Sequence, residues 1–428
     1  MENKLRVGIL TTFYCWDPAF SLTTVVGQQL QMLVKYGYKP VLFVLATFKD
    51  DDKVPAGVEI RKVIPQLILE PYANRDISKL GTDVELAKTA MEENMVDLDA
   101  CLTHDIIFIN SYLPYNIAMR KAIDGKLSKV KWLHWMHSGP SARPNLDGSV
   151  WDNLYTLPKN SRLVYMNHTD TVRAAEMYGI WPKDVRTIFN PMDVRELFDF
   201  HPLTRELIDA YDMMSSDIVI SYPLSTTRMN DSGKQLSKVV WIASHLKKQG
   251  LSVRLIVPNA HANGESEKLA IEEMRRFADE CGLGRNEFIF TSLFDAPEWE
   301  HGVPHEVVKD FFLLSNIFIF PSVSENCPLV LLEAMAGKNI LILNKNFPAM
   351  KDFALEAAFY FEFGSLVESV NYHNGISNYL ADVAKIIVSE YENNKVIKAN
   401  TRLRQKFNID TIFKRQLEPA ILELVNQN

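Results

Sequence analysis

Residues 317–343 read IFIFPSVSENCPLVLLEAMAGKNILIL, and the texture of the chain changes several times within them. Ile317–Phe320 is a short unbroken apolar run, the mark of a strand buried on both faces. A polar loop follows Pro321. A helix is expected from Leu329 to Ala336, with Pro328 suited to its first turn. After Gly337 a second apolar run, Ile340–Leu343, reads as the next strand. Strand, loop, helix and strand in this order form a βαβ unit, whose two strands must be parallel.

The same alternation extends on both sides. Toward the N-terminus, Ile218–Tyr222, Val253–Val257 and Glu287–Thr291 read as strands, separated by helices over Lys238–Lys247 and Glu265–Cys281. Helix Glu306–Leu314 leads into Ile317. The first half begins with strand Arg6–Tyr14 and helix Val25–Tyr36, which stops at Gly37, a C-cap signal. Further strands are expected at Pro40–Leu45, Asp105–Asn110, Lys131–Met136, Leu163–Met166 and Val185–Phe189. Between about Arg195 and Ser216 the chain reads as polar and helical, a link between two α/β domains. Beyond about Leu380 it is helical to the end. Ligands of open parallel sheets sit beyond the carboxyl ends of the strands, so chemistry is sought just after each strand.

Composition narrows the classes. With 47% hydrophobic and 23% charged residues the 428-residue chain is an ordinary globular protein, long enough for two domains. A formal charge of -7 disfavours a polyanionic partner, so nucleic acid is not favoured. Cys15, Cys101, Cys281 and Cys327 are scattered and form no CxxC pair, which argues against a disulfide scaffold. The N-terminal residues run straight into a strand, and no apolar run is long enough to span a bilayer. A reducing cytoplasmic setting is the expectation, with peripheral membrane contact compatible with it. GxGxxG, Walker A, HExxH and GxSxG are absent. Asp50-Asp51-Asp52 matches a metal-binding Asp-x-Asp only superficially and reads as a solvated charge run.

Three stretches carry chemistry. In the first, Glu325 precedes the helix and Glu333 lies inside its apolar run, where an unpartnered carboxylate is costly. Backbone N–H groups at Cys327 and Leu329 can meet an anion at the helix start, and Pro328 cannot donate. In the second, Ser221-Tyr-Pro-Leu-Ser-Thr-Thr-Arg228-Met-Asn-Asp-Ser-Gly-Lys234 puts Arg228 and Lys234 in a loop after a strand, with Lys238 as a fallback. Fixed cations there stabilise a leaving group that gains negative charge. In the third, Trp132-Leu-His134-Trp-Met-His137-Ser-Gly-Pro140 places two imidazoles at a strand end without further metal ligands.

The first stretch resembles the EX7E signature of retaining GT-B glycosyltransferases, family GT4 in particular. Glu-Asn-Cys-Pro-Leu stands where that family has Glu-Gly-Phe-Gly/Pro-Leu. The resemblance implies two Rossmann-like domains facing across a cleft. These would be residues 1–195, joined by a C-terminal helix of about 410–428 that crosses back, and a nucleotide-sugar-binding domain of 196–409. It implies that Glu325 meets donor-sugar hydroxyls, Glu333 meets the ribose, and Asn326, Cys327, Pro328 and Leu329 line the sugar and diphosphate. Arg228 and Lys234 resemble the family's Arg-x4-Lys pair, here at a spacing of x5. His137 matches the imidazole such enzymes place beside donor and acceptor, and Ser292-Leu293 the loop that holds the base. Ser21 and Thr23, in a loop with aromatics where the family has a Gly-rich turn, are acceptor-side candidates; either also suits the N-cap of the first helix. The implied donor is a UDP-, GDP- or similar nucleotide sugar, the acceptor a hydroxyl on a glycan, lipid-linked or small molecule. No cofactor or metal is required. A phage-type DNA-base glycosyltransferase and a non-catalytic nucleotide-sugar-binding protein remain the alternatives.

Overall fold

A computed structural model describes residues 4–67, 77–140, 148, 150–228, 233–259, 262, 264–294, 302–325, 328–366, 370–372 and 375–427. The chain divides into two compact units, Met1–Asp193 with Lys406–Asn428, and Val194–Gln405. Each is a Rossmann-like α/β layer structure around a parallel sheet.

Unit 1 holds a seven-stranded sheet. Its strands are β1 (Arg6–Leu10), β2 (Lys39–Leu45), β3 (Glu59–Ile64), β4 (Ala100–His104), β5 (Lys131–Trp135), β6 (Ser161–Tyr165) and β7 (Val185–Thr187). They run parallel in the order β3-β2-β1-β4-β5-β6-β7. The chain builds outward from β1 to β3 and then returns to the other side of β1, so the order reverses between β1 and β4. The central strands are buried on both faces, the polar Thr103 and His104 of β4 included. Helix Ser21–Lys35 packs Val26, Leu30 and Leu33 on the sheet and ends ahead of Gly37, whose φ of 76° suits glycine.

The chain's last helical segments belong to this unit. Ile412, Phe413, Leu417 and Ile421 are buried in the same cluster as Val7, Ile9 and Leu42. Each such burial contributes about 1.5–3 kcal/mol. Phe413 stacks on Tyr36 at 4.2 Å, and the Tyr36 hydroxyl donates to Asp410 at 2.7 Å.

Unit 2 holds a six-stranded sheet. Its strands are β8 (Ile218–Ser221), β9 (Val253–Val257), β10 (Phe288–Phe290), β11 (Ile317–Phe320), β12 (Ile340–Asn344) and β13 (Ala358–Phe361). They are parallel in the order β10-β9-β8-β11-β12-β13, reversing between β8 and β11. The quoted stretch is β11, loop, helix Leu329–Ala336 and β12. Gly337 ends that helix because nothing larger fits: a Cβ there would lie 2.4 Å from the Phe312 carbonyl oxygen.

Two expectations are corrected. The run Asp105–Asn110 is not a strand; the strand is the preceding Ala100–His104. Asp105 adopts a φ of 62°, and its carbonyl accepts from Phe108 and Ile109 at 3.2 and 3.0 Å, closing a turn that buries Ile106 and Ile107. The segment from Arg195 to Ser216 is no polar link. Phe200, Leu203, Leu207 and Met213 pack with Val219, Ile256 and Phe311 as part of unit 2. Among the described residues no helix is long and apolar enough to cross a membrane.

Candidate functional site

In unit 2 the loops that follow β8 and β11 rise from the two strands that flank the order reversal, where parallel sheets open a crevice. Lys234, from the first loop, pairs through Nζ with Oε1 of Glu325 from the second. Both side chains are largely buried. Ser322 Oγ donates to the same carboxylate oxygen at 3.0 Å, and the Lys234 ammonium lies 5.9 Å from the centre of the Phe320 ring. Val323 N–H donates to the Gly233 carbonyl at 2.9 Å, which joins the two loops, and within the first loop the Tyr222 hydroxyl donates to the Lys234 carbonyl. Lys234 therefore enters its helix through Gln235, held at a φ of 53°. Arg228 is exposed on a short turn, Thr226–Arg228, where its N–H donates to the Ser225 carbonyl at 2.9 Å.

Helix Leu329–Ala336 follows Glu325 in the chain after a short loop. Pro328 is buried ahead of it and Leu329 is exposed. Asn326 and Cys327 lie outside the described residues. Glu333 is half-buried, and its Oε1 lies 2.6 Å from Nε2 of His305 on helix His305–Leu314. The carboxylate inside the apolar run thus has a protein partner, one that sequence reading did not anticipate.

Lys238, the fallback cation, is committed elsewhere. Its Nζ donates to the Phe363 carbonyl and, at 3.1 Å, to the Tyr372 hydroxyl, and burial pulls its pKa down to about 8. After β10, Ser292 N–H donates to Asn259 Oδ1 at 3.1 Å and Ser292 Oγ accepts from Asn259 Nδ2 at 2.8 Å, while Leu293 is exposed. Buried Asn259 also reaches Thr226 at 3.4 Å, tying the Ser292 loop to the Arg228 turn. Asn344, at the end of β12, does similar work on the other side. Its amide donates to the Ser322 and Gly364 carbonyls at 3.1 and 2.7 Å.

In unit 1 the equivalent reversal lies between β1 and β4. At the end of β4, His104 Nδ1 lies 2.8 Å from Nε2 of His137, just after β5, and His104 Nε2 lies 3.0 Å from Oε1 of Gln29. Asp105 Oδ1 accepts the His137 backbone N–H at 2.8 Å. Burial sets the electrostatics here. It lowers His137 to about 4, holds His104 well below the usual imidazole range, and raises Asp105 to about 6 against the opposing backbone hydrogen bond. His134 belongs to the sheet instead. It lies between Thr103 Oγ1 at 2.7 Å and Ser161 Oγ at 3.1 Å, lowered to about 3 by burial and then by the Arg120 charge.

Ser21 is exposed at the start of its helix, whose N-cap is Phe20 without a side-chain cap bond, so neither Ser21 nor Thr23 caps it. Thr23 is buried, and its hydroxyl meets no partner among the described residues. Asp50 is not merely solvated: it accepts the Trp16 N–H at 2.7 Å and pairs with Lys53 at 3.0 Å, with the backbone bond the larger cause of its lowered pKa.

No protein-family model matches the chain, and neither does any curated protein sequence. Among solved structures the chain is similar to a glycosyltransferase from Rickettsia africae, at 14% identity over 100% of each chain, with a TM-score of 0.39. It is also similar to sucrose-phosphate synthase from Thermosynechococcus elongatus, at 15% identity over 99% of this chain and 100% of that one, TM-score 0.36. A third is Anabaena HepE in complex with UDP-glucose, at 14% identity over 97% and 99%, TM-score 0.34. At such TM-scores the likeness carries no argument, so function is read from the chain's own residues.

Gln29, His104, Asp105, Asn259, His305 and Asn344 are the polar residues that motif reading passed over. His104 and Asp105 carried a signal: they stand directly before the apolar run Ile106–Ile109. Gln29 and Asn259 carried none, since their importance comes from partners far away in sequence.

Proposed function

We propose that the chain is a GT-B glycosyltransferase that moves a sugar from a nucleotide-sugar donor to a hydroxyl acceptor with retention of configuration. The observation that carries this reading is the pairing of Lys234 with Glu325 at the strand-order reversal of unit 2, at the head of the helix that bears Glu333. A diphosphate leaving group develops charge as the glycosidic bond breaks, and a preplaced cation in a water-poor loop stabilises that charge without reorganisation. Lys234 takes this role with Arg228 and the first amides of the helix. Glu325 holds Lys234 in place before the donor arrives and then accepts from donor-sugar hydroxyls. Glu333 accepts from the ribose, exchanging His305 for it. Ser292 and Leu293 supply main-chain groups to the base. His137 is the imidazole assigned to the reacting groups. The acceptor hydroxyl attacks from the face that the diphosphate leaves, its proton passing to the departing diphosphate oxygen as the old glycosidic bond breaks. Phosphate charge is met by protein cations, so a chelator leaves turnover unchanged.

The test is incubation with UDP-, GDP-, ADP- and dTDP-sugars, following nucleotide release and thermal shift in parallel. The reading predicts that at least one donor raises the melting temperature and loses its sugar. If none binds and none turns over, the reading fails. The anomeric configuration of the product, read by NMR, tests retention separately.

A further inference from the structure

Gln29 and His104 are both buried, polar and remote from one another in sequence, and burying them is costly unless their hydrogen bonds are made. They make them in series. Gln29 presents its amide oxygen, an acceptor only, to Nε2 of His104 at 3.0 Å. Nε2 of His104 therefore carries the proton. A neutral imidazole has one N–H, so Nδ1 of His104 is a bare lone pair. The atom facing it at 2.8 Å is Nε2 of His137, which must be the donor. By the same rule His137 Nδ1 has no proton. Among the described residues nothing hydrogen-bonds to that nitrogen, and His137 is only partly buried, whereas its two supports are fully enclosed.

We propose that Gln29 and His104 are positioning residues that lock His137 in its Nε2–H tautomer, so that its Nδ1 lone pair accepts a hydrogen bond from a substrate hydroxyl. The ligand class follows from the sign of the site. A hydroxyl can donate to Nδ1; a phosphate or carboxylate oxygen, having no proton to give, is repelled by it. Burial, which keeps His137 neutral, acts in the same direction. Asp105 fixes the backbone of His137 through the 2.8 Å bond to its N–H, so the ring and the main chain are held from different sides. The consequence for catalysis rests on the glycosyl-transfer reading; the tautomer lock itself does not.

The decisive measurement is nitrogen-15 NMR of the full chain labelled at histidine, with signals assigned by their loss in His137→Asn and His104→Asn. Both rings should show a pyrrole-type Nε2 and a pyridine-type Nδ1. A protonated Nδ1 on His137, or a doubly protonated ring at neutral pH, overturns the proposal. Gln29→Leu removes the acceptor that starts the series, so the His137 signals should move toward a mixture of tautomers. Gln29→Glu, which keeps an acceptor oxygen, should retain the wild-type pattern. Unchanged His137 signals in Gln29→Leu would also overturn it. Thermal melting and nucleotide affinity, the latter a property of unit 2, show whether each variant is folded. In turnover assays Gln29→Leu should lower kcat by about three- to tenfold, the worth of one neutral hydrogen bond, with the donor KM unchanged and Gln29→Glu restoring the rate. A loss confined to KM overturns the positioning role. A chain with the expected spectrum and no turnover on any donor would leave the lock standing and defeat the glycosyl-transfer reading alone.

Discussion

The two strand-order reversals of this molecule are topologically alike and electrostatically opposite. In unit 2 the loops after β8 and β11 bring a full ion pair, Lys234 and Glu325, out of water. In unit 1 the ends of β4 and β5 bring together two imidazoles and an amide, and burial holds both rings neutral. The same backbone plan thus makes a charged site and an uncharged one. What differs is the side chain delivered at each strand end. A charged site suits a group that is itself strongly charged; a neutral, tautomer-defined site suits a hydroxyl.

The contrast breaks most visibly at Lys234. Lys234→Ala leaves Glu325 largely buried with, among the described residues, Ser322 as its remaining side-chain partner. Leaving one member of such a pair behind costs about 3 kcal/mol, here discounted for partial exposure, and turnover should fall by at least about a hundredfold. The double change Lys234→Met with Glu325→Leu should recover most of the stability and none of the activity. Chemical denaturation and donor turnover on both variants check this. Recovery of turnover in the double variant would strip the pair of its catalytic role.

A second test sets the two carboxylates against each other. Glu333→Gln should weaken binding of the nucleotide diphosphate about tenfold to a hundredfold, since each charge-assisted bond contributes about 1.5–3 kcal/mol. Glu325→Gln should affect the sugar-bearing donor and spare the bare diphosphate. Calorimetry with both ligands on both variants decides, and equal losses in all four titrations reject the division of labour.

How much of this was legible beforehand follows from what the sequence encodes locally. Apolar runs bounded by Pro321 and Gly337 gave the βαβ unit directly, and the loops after β8 and β11 could be placed because they follow such runs. The apolar pattern points to Asp105–Asn110 rather than to β4 because Ala100–His104 mixes Thr103 and His104 into its apolar residues. Those polar groups are tolerated only through partners, His134 for Thr103 and Gln29 with His137 for His104. Local pattern cannot show a satisfied buried polar group, since the satisfaction comes from another strand or helix. The same reason hid His305, Asn259 and Asn344, whose hydrogen bonds join separate loops.

The neutral site has its own test, in pH. Asp105 has a folded pKa of about 6, above the roughly 3.9 of an unfolded chain. Between those values the folded state holds a proton that the unfolded state has shed, so stability falls as pH rises through the window. His137 has a folded value of about 4, below the roughly 6.5 of a free imidazole, so its contribution is present above that value and lost as pH falls. The two slopes oppose each other. Asp105→Asn keeps the acceptor for the His137 N–H and suits the left-handed backbone, which asparagine tolerates. The variant should therefore be more stable than the parent by about 2 kcal/mol at neutral pH, and the two curves should converge near about pH 4. His104 and His134 steepen both curves equally. Denaturant melts across this range measure the difference; parallel curves would mean that Asp105 does not carry a buried charge.

The smallest expected effect is at His305, and it separates two kinds of support for a carboxylate. Lys234 is enclosed with Glu325, whereas His305 is 74% exposed where it meets Glu333. An exposed pair of this sort contributes less than about 1 kcal/mol, so His305→Ala should leave the melting temperature almost unmoved. Its consequence lies in binding. If Glu333 must release His305 before it accepts from ribose hydroxyls, every nucleotide that binds first breaks that contact. Removing the imidazole removes the competition, and affinity for the nucleotide diphosphate should rise by up to about threefold, the worth of a weak surface contact. The gain should vanish in the background of Glu333→Gln, because the competition is for that carboxylate. Weaker binding in His305→Ala would show that the imidazole touches the nucleotide itself, and the partner of Glu333 would then belong to the site rather than stand in for its ligand.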